Sequence, residues 1–136
     1  MLTEVPGSSE AFLGGAVAYA NSIKEKLGVP AETLKQYGAV SAQAVEALST
    51  GVRTWAGADY GLAVTGIAGP GGATEAKPIG LTYIGLASAD RVQVEQHNFT
   101  GDRSAVKRST ANAALTMLEE TLMRGSGIHP EPHHAS

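Results

Sequence analysis

The sequence predicts a layered α/β domain. Segments with apolar residues at helical spacing alternate with short apolar runs that glycine, proline or aspartate bounds, a pattern typical of strands. The predicted order is a strand, three helices, three strands and a final helix. The 136 residues contain no internal repeat, and they suffice to bury one core without disulfides or metal.

The first half of the chain carries one predicted strand and three predicted helices. A buried strand is expected near the end of the apolar run 12–19. Each helix has a capping residue or proline at its start and a glycine after its end. The helices lie between Asn21 or Ser22 and Gly28, between Pro30 and Gly38, and between Ser41 and Gly57. The third helix has one apolar face, expected in the core and formed by Val45, Leu48, Val52 and Trp55.

Three strands and a long helix are predicted in the second half. The strands cover 60–65, 80–87 and 92–99, and the tight connection through Asp90 joins the last two as a hairpin. Gly101 and Asp102 then cap a helix whose buried side is expected to hold Val106, Ala113, Met117, Leu118 and Leu122. Residues 125–136 predict a disordered tail, so no metal site is expected from its histidines, His129, His133 and His134.

Composition excludes several classes of function. Lys and Arg number 10 and Asp and Glu 13, and this net charge of −3 argues against nucleic-acid binding and against an anionic membrane surface. The absence of cysteine excludes disulfides, thiolate metal sites and a cysteine nucleophile. No apolar run approaches the roughly 18 residues of a membrane span, and the acidic start is unlike a signal peptide. A cytoplasmic protein is expected.

The glycine-rich loop 66–78 is the strongest candidate for ligand binding. It follows a predicted buried strand directly, where ligands of α/β sheets lie, and glycines there let backbone amides face a ligand. The alternative is a loop that only connects the two strands of a hairpin and binds no ligand. Phosphate-loop and dinucleotide fingerprints both fail, because Gly72 stands where the lysine belongs and the loop leads into a strand. Thr65 would add a hydroxyl, and Lys77 a charge partner for an anion.

This loop carries a resemblance to a known family. Thr-Gly-Ile-Ala-Gly-Pro-Gly-Gly at 65–72, followed by Lys-Pro-Ile-Gly at 77–80, resembles the signature of the CinA C-terminal domain family. Other blocks match in the same order, over about residues 2–122. They are Pro-Gly-Ser-Ser at 6–9, Tyr-Ala-Asn-Ser-Ile-Lys at 19–24, Leu-Gly-Val at 27–29, Gly-Ala-Val-Ser at 38–41, Gly-Ala-Asp at 57–59 and Phe-Thr-Gly-Asp-Arg at 99–103.

The resemblance implies a three-layer α/β/α fold with a mixed β-sheet, over a domain of residues 1–124. It implies hydrolysis of the carboxamide of nicotinamide mononucleotide to nicotinate mononucleotide and ammonia, with no metal or other cofactor, and self-association into a homo-oligomer. Family members carry a Glu-Ser-Cys-Thr-Gly-Gly motif earlier in the domain, and its serine is the expected nucleophile. The chain begins after that motif, so we expect an N-terminally truncated domain with an exposed sheet edge. The alternative is a non-catalytic nucleotide-binding or interaction module.

The resemblance also assigns site residues. Lys24 is the expected catalytic base, which requires burial or nearby positive charge to lower its pKa; the alternative is a solvated lysine like Lys26. Tyr19 would orient Lys24 or bind substrate. Arg103, at a helix start, would pair with a phosphate. The full set expected to bind substrate is Ser9, Asn21, Thr65, Gly66, Gly69, Gly71, Gly72, Lys77 and Arg103. His97 has no acidic partner nearby in the sequence and receives no role.

Overall fold

The computed structural model describes residues 21–66 and 79–125, which form four helices and three strands. In chain order these are α1 (Asn21–Lys26), α2 (Ala31–Tyr37), α3 (Ala42–Ala56), β1 (Gly61–Gly66), β2 (Leu81–Ala87), β3 (Val92–Asn98) and α4 (Arg103–Gly125). The predicted order of elements is confirmed over this range. The predicted strand within 12–19, most of the glycine-rich loop and the tail beyond residue 125 lie outside the described residues.

The three strands form one sheet in the order β1-β2-β3. Both pairs are antiparallel, with Ala63 opposite Gly85 and Gly85 opposite Val94. The predicted α/β class is confirmed, with α3 against one face of the sheet and α4 against the other, so three layers are present. Because both described strand pairs are antiparallel, the parallel pair of a mixed sheet stays a prediction.

The side of the sheet that α3 covers, here called the α3 face, is lined by small residues. A Cβ added to Gly85 would lie 2.8 Å from the carbonyl oxygen of Val45, and one added to Gly61 would overlap the carbonyl oxygen of Ser49. The helix backbone therefore rests directly on the strands. Glycine is required at these two strand positions because any side chain would force the layers apart.

The opposite side, here called the α4 face, is closed by large side chains. Ile84 and Leu86 of β2 are almost fully buried against Ala114 and Met117 of α4. The half-buried Tyr60, Leu62, Ala113 and Leu118 surround them. At the far end of the helix, the side-chain amide of Gln93 donates a hydrogen bond of 3.2 Å to the hydroxyl of Thr121. Apolar burial of this kind is the main stabilising contribution to the fold.

Two residues expected in the core are exposed. Trp55 is 58% exposed, because the line of α3 that meets the sheet runs through Val45, Ser49 and Arg53. Trp55 lies two residues after Arg53 and so points about 200° away around the helix. Leu122 is 45% exposed, since the buried line of α4 passes through Met117 and Thr121 instead. Both expectations were wrong for the same reason: helical spacing fixes a stripe, but packing decides which stripe is covered.

Candidate functional site

Several predicted site residues meet at one end of the sheet, here called the loop end. At this end β1 finishes, β2 begins and β3 finishes, with Gly66 opposite Thr82 and Leu81 opposite Asn98. Helix α3 runs antiparallel to β1, since its start is near Thr65 and its later turns lie over Gly61. Helix α4 begins five residues after β3 ends, at the same end. The structure therefore gathers two helix starts and the departure point of the glycine-rich loop.

Thr65 and Gly66 both occupy the loop end, and each has a structural task there. The Thr65 hydroxyl donates a 2.9 Å hydrogen bond to the carbonyl oxygen of Ala39, which ties the end of β1 to the segment before α3. Its oxygen retains acceptor capacity for a ligand. A Cβ at Gly66 would lie 2.9 Å from the Thr82 hydroxyl, so close strand packing already requires glycine. Substrate contact by either residue stays a prediction.

Arg103 is the first residue of α4 and is exposed. The predicted cap is confirmed, because the Asp102 carboxylate accepts a 2.9 Å hydrogen bond from the Ala105 amide. The first turn contains no acidic residue, and exposed Lys107 and Arg108 follow in the second turn. Positive charges at a helix start oppose the helix dipole, so this arrangement favours the approach of an anion.

Lys24 lies in α1, and its burial is the reverse of what an amphipathic helix shows. It is 8% exposed, whereas the apolar Ile23 beside it is 37% exposed. The neighbouring Ser22, Glu25 and Lys26 are also exposed. Burial lowers the pKa of the Lys24 amine below its ordinary value of 10.5, because desolvation disfavours the charged form. A lysine in this state has more of the neutral form, which can accept a proton.

The end of α1 holds the Lys24 backbone through a Schellman motif. The Lys24 carbonyl oxygen accepts hydrogen bonds from the amides of Leu27, at 3.1 Å, and Val29, at 3.0 Å. Gly28 adopts φ +106° and donates its amide to the Glu25 carbonyl oxygen at 3.0 Å. Val29 is buried in a cluster with Leu34 and Ala44. The prediction that Gly28 ends this helix is confirmed, and the motif anchors Lys24 to the α2–α3 layer.

The expectation that His97 lacks an acidic partner was wrong. Glu95 Oε1 lies 2.9 Å from His97 Nε2, and the His97 ring stacks on Phe99 with centroids 5.0 Å apart. Residues two apart on a strand share a face, so the period of two along β3 was the signal that could have identified this pair. The group lies on the α4 face toward the loop end. Glu95, His97 and Phe99 form a group of ionisable and aromatic side chains that the sequence alone did not lead us to expect.

The remaining predicted site residues fall into two groups, those within the described residues and those outside them. Asn21 is the first residue of α1. Ser9, Tyr19, Gly69, Gly71, Gly72 and Lys77 lie outside the described residues. Lys24 belongs to the layer on the α3 face, and Arg103 begins the helix on the α4 face, so the sheet separates the elements that carry them. Within 21–66 and 79–125, no three His, Asp or Glu side chains gather into a potential metal site.

No helix in the described part of the chain combines the length and apolar composition that crossing a bilayer requires.

Comparison with known proteins gives one consistent result. A family model described as the CinA C-terminal domain matches residues 1–122. A CinA-like protein of Acidobacterium capsulatum is 47% identical over 123 residues, which cover 90% of this chain and 30% of that protein. The chain thus spans about 30% of the length of the first curated relatives that it matches.

Solved structures agree with this match. The competence/damage inducible protein CihA from Agrobacterium tumefaciens superimposes with a TM-score of 0.84 at 37% identity, over 88% of this chain and 74% of that one. A CinA superfamily protein from Klebsiella pneumoniae 700603 gives a TM-score of 0.85 at 32% identity, over 90% and 78% of the two chains.

Proposed function

Because this chain belongs to the CinA C-terminal domain family, we propose that it acts in hydrolysing the carboxamide of nicotinamide mononucleotide. The reaction adds water, breaks the bond between the carbonyl carbon and nitrogen, and forms a carbon–oxygen bond. The products are nicotinate mononucleotide and ammonia. The proposal places this reaction in the cytoplasm and follows from the family resemblance. Among the described residues, the buried Lys24 carries it.

The role of Lys24 is that of a proton carrier. In its neutral form the amine accepts a proton from the hydroxyl group that attacks the carbonyl carbon. It then delivers that proton to the nitrogen that leaves as ammonia. A solvated lysine is protonated at neutral pH and cannot begin this cycle. An exposed fraction of 8% and a pKa lowered by desolvation both support the assignment. The apolar neighbour Ile23 is exposed instead, which is hard to explain by packing alone.

The loop end supplies the proposed binding groups. Arg103 would pair with the phosphate of the nucleotide, assisted by the exposed Lys107 and Arg108 in the next turn of α4. Thr65 and Gly66 end β1 at the loop end, and the glycine-rich segment that follows them in the sequence is the further proposed ligand-binding element. The proposed substrate is therefore a small nucleotide held by its phosphate.

A second candidate is a non-catalytic nucleotide-binding or interaction module. One observation favours it: Thr65 and Gly66 at the loop end, and Arg103 at the start of α4, are groups suited to binding a ligand rather than to attacking it. In this case the loop end would bind the nucleotide and release it unchanged. The two candidates share the binding step and differ only in turnover.

Paired lysine variants test the proposal. We expect Lys24→Ala to reduce ammonia release from nicotinamide mononucleotide by about 100-fold or more, the usual contribution of a general base. Lys26→Ala, an exposed lysine of the same helix, is the matched control and should retain activity. Ammonia is measured by a coupled assay, and circular dichroism confirms folding.

Calorimetric titration with the same nucleotide separates the two candidates. Binding by the unmodified chain without ammonia release would replace the amidase proposal with the binding module. Ammonia release that survives Lys24→Ala would remove Lys24 from the mechanism. If the chain neither binds the nucleotide nor releases ammonia, the family relationship describes only the fold.

A further inference from the structure

A glycine stands in the middle of α3, at a position where helix propensity disfavours it. Gly51 is half-buried and has four or more helical residues on either side. Glycine inside a helix destabilises it relative to alanine, so its presence calls for a structural reason. That reason is a close approach: a Cβ on Gly51 would overlap the carbonyl group of Leu27 and lie 3.5 Å from the Cα of Gly28.

The segment that touches Gly51 is bonded directly to Lys24. Leu27 donates its amide to the Lys24 carbonyl oxygen, and Val29, on the other side of Gly28, does the same. Two observations favour glycine at position 28: its φ is +106°, and a Cβ there would lie 3.3 Å from the Gly51 Cα. The turn that ends α1 thus sits on the bare backbone of α3 at Gly51.

We propose that Gly51 is a positioning residue for Lys24, because it allows the end of α1 to seat on the α3 backbone and so keeps the Lys24 side chain buried. A side chain at Gly51 would lift Leu27 and Gly28 away from α3. Through the two hydrogen bonds to its carbonyl oxygen, Lys24 would move with them, toward solvent. The catalytic part of the inference rests on the proposed function; the positional part does not.

Burial is the cause of the lowered pKa of the Lys24 amine. On the surrounding helices Glu25 and Lys26 of α1, Glu32 and Lys35 of α2, and Glu46 of α3 are exposed, and the half-buried Arg53 of α3 donates its Nε–H to the Asp59 carbonyl oxygen. Desolvation is what lowers the pKa of Lys24. Lifting α1 from α3 would therefore return that pKa toward 10.5, and the amine would be protonated more of the time.

The test measures the reactivity of Lys24 without needing turnover. The chain and its Gly51→Ala variant are labelled with acetic anhydride across a pH series, and peptide mass spectrometry reports the rate at each lysine. In Gly51→Ala we expect the midpoint for Lys24 to move up toward 10.5 and its plateau rate at high pH to rise severalfold. Lys26 serves as the internal reference and should not change. Thr50→Ala, an exposed substitution one residue away, is the matched control.

The outcomes separate this inference from the proposed function. A folded Gly51→Ala variant with an unchanged Lys24 midpoint and plateau would overturn the positioning role, whatever the enzyme does. If the unmodified chain releases ammonia, Gly51→Ala should lower kcat with little change in KM. If Gly51→Ala does not fold, Val29→Ala loosens the same motif from its buried side and should shift the Lys24 midpoint in the same direction. An unchanged midpoint in folded Val29→Ala would equally overturn the inference.

Discussion

On the α3 face of the sheet a helix backbone rests on glycine and alanine, whereas on the α4 face apolar side chains fill the space between helix and strands. The α3 face has no room for an added methyl group at Gly61 or Gly85. The α4 face would instead lose contacts if a side chain at Ile84 or Leu86 were shortened. Substitutions therefore destabilise the two faces in opposite ways: a larger residue overpacks the α3 face, and a smaller residue leaves a cavity on the α4 face.

The difference also shows where positional accuracy is built into the molecule. Backbone-to-backbone contact leaves no flexible side chain to absorb a displacement, so it fixes distances more tightly than side-chain packing does. Lys24 lies on this tightly packed side, connected through Leu27 and Gly28 to Gly51. We expect shortening a side chain on the α4 face, where the side chains are larger, to cost more stability.

Shortening a core residue of the α4 face should give the largest effect. We expect Leu86→Ala to lower the free energy of unfolding by about 3 kcal/mol, because Leu86 is 1% exposed and its loss leaves a cavity. Urea denaturation measures the change. Leu122→Ala is the control on α4, where 45% exposure predicts a change within about 0.5 kcal/mol. Equal effects of the two variants would contradict the division between the faces.

Adding one methyl group to the α3 face should cost somewhat less. We expect Gly85→Ala to destabilise the chain by about 2 kcal/mol, because the new Cβ meets the Val45 carbonyl oxygen at 2.8 Å. Gly57→Ala separates crowding from backbone strain: a Cβ there meets nothing within 4 Å, but φ is +65°. Strain alone predicts about 1 kcal/mol in the same denaturation experiment. A Gly85→Ala variant as stable as the unmodified chain would show that α3 can lift from the sheet.

The helix caps should give the smallest effects, again unequal between the sides. Ser41, at the start of α3, is buried and both accepts from the Ala44 amide at 3.1 Å and donates to the Gly38 carbonyl oxygen at 2.9 Å. Asp102, at the start of α4, is exposed and caps through its bond to Ala105. We expect Ser41→Ala to cost about 1.5 kcal/mol and Asp102→Ala about 0.7 kcal/mol. The reverse order of the two losses would argue against the tighter packing of the α3 side.

Local signals in the sequence were enough to locate the helix ends. Gly28, Gly38 and Gly57 each end a helix with positive φ, and Ser41 accepts the capping hydrogen bond, as their residue types predict. These features depend on a few neighbouring residues. The same is true of the family resemblance, whose matching blocks are short runs and which the comparisons confirm.

Features that depend on distant residues were not predictable in this way. Only the family block at 19–24 singles out Lys24. Residue type and spacing do not distinguish it from Lys26, because their difference in burial arises from how α1 meets α3. Gly51 and Gly85 look like any glycines until another backbone approaches them. The alternation of side chains along β3 could have identified the Glu95–His97 pair. Trp55 was wrongly expected in the core because it lies on a different side of α3 from the residues that face the sheet. The roles assigned to Tyr19, Lys77 and the loop glycines stay predictions.

The order of elements along the chain has a consequence for how the molecule folds. Helix α3 packs on β1, β1 pairs with β2, and β2 pairs with β3, and these three contacts each join neighbours in the sequence. Contacts between neighbouring elements close with little loss of chain entropy, so this unit is expected to form the folding nucleus. Helices α1 and α2 precede this unit, and the end of α1 docks on the backbone of α3 at Gly51. We therefore expect the burial of Lys24 to be a late event in folding, completed after the backbone that receives α1 has taken shape.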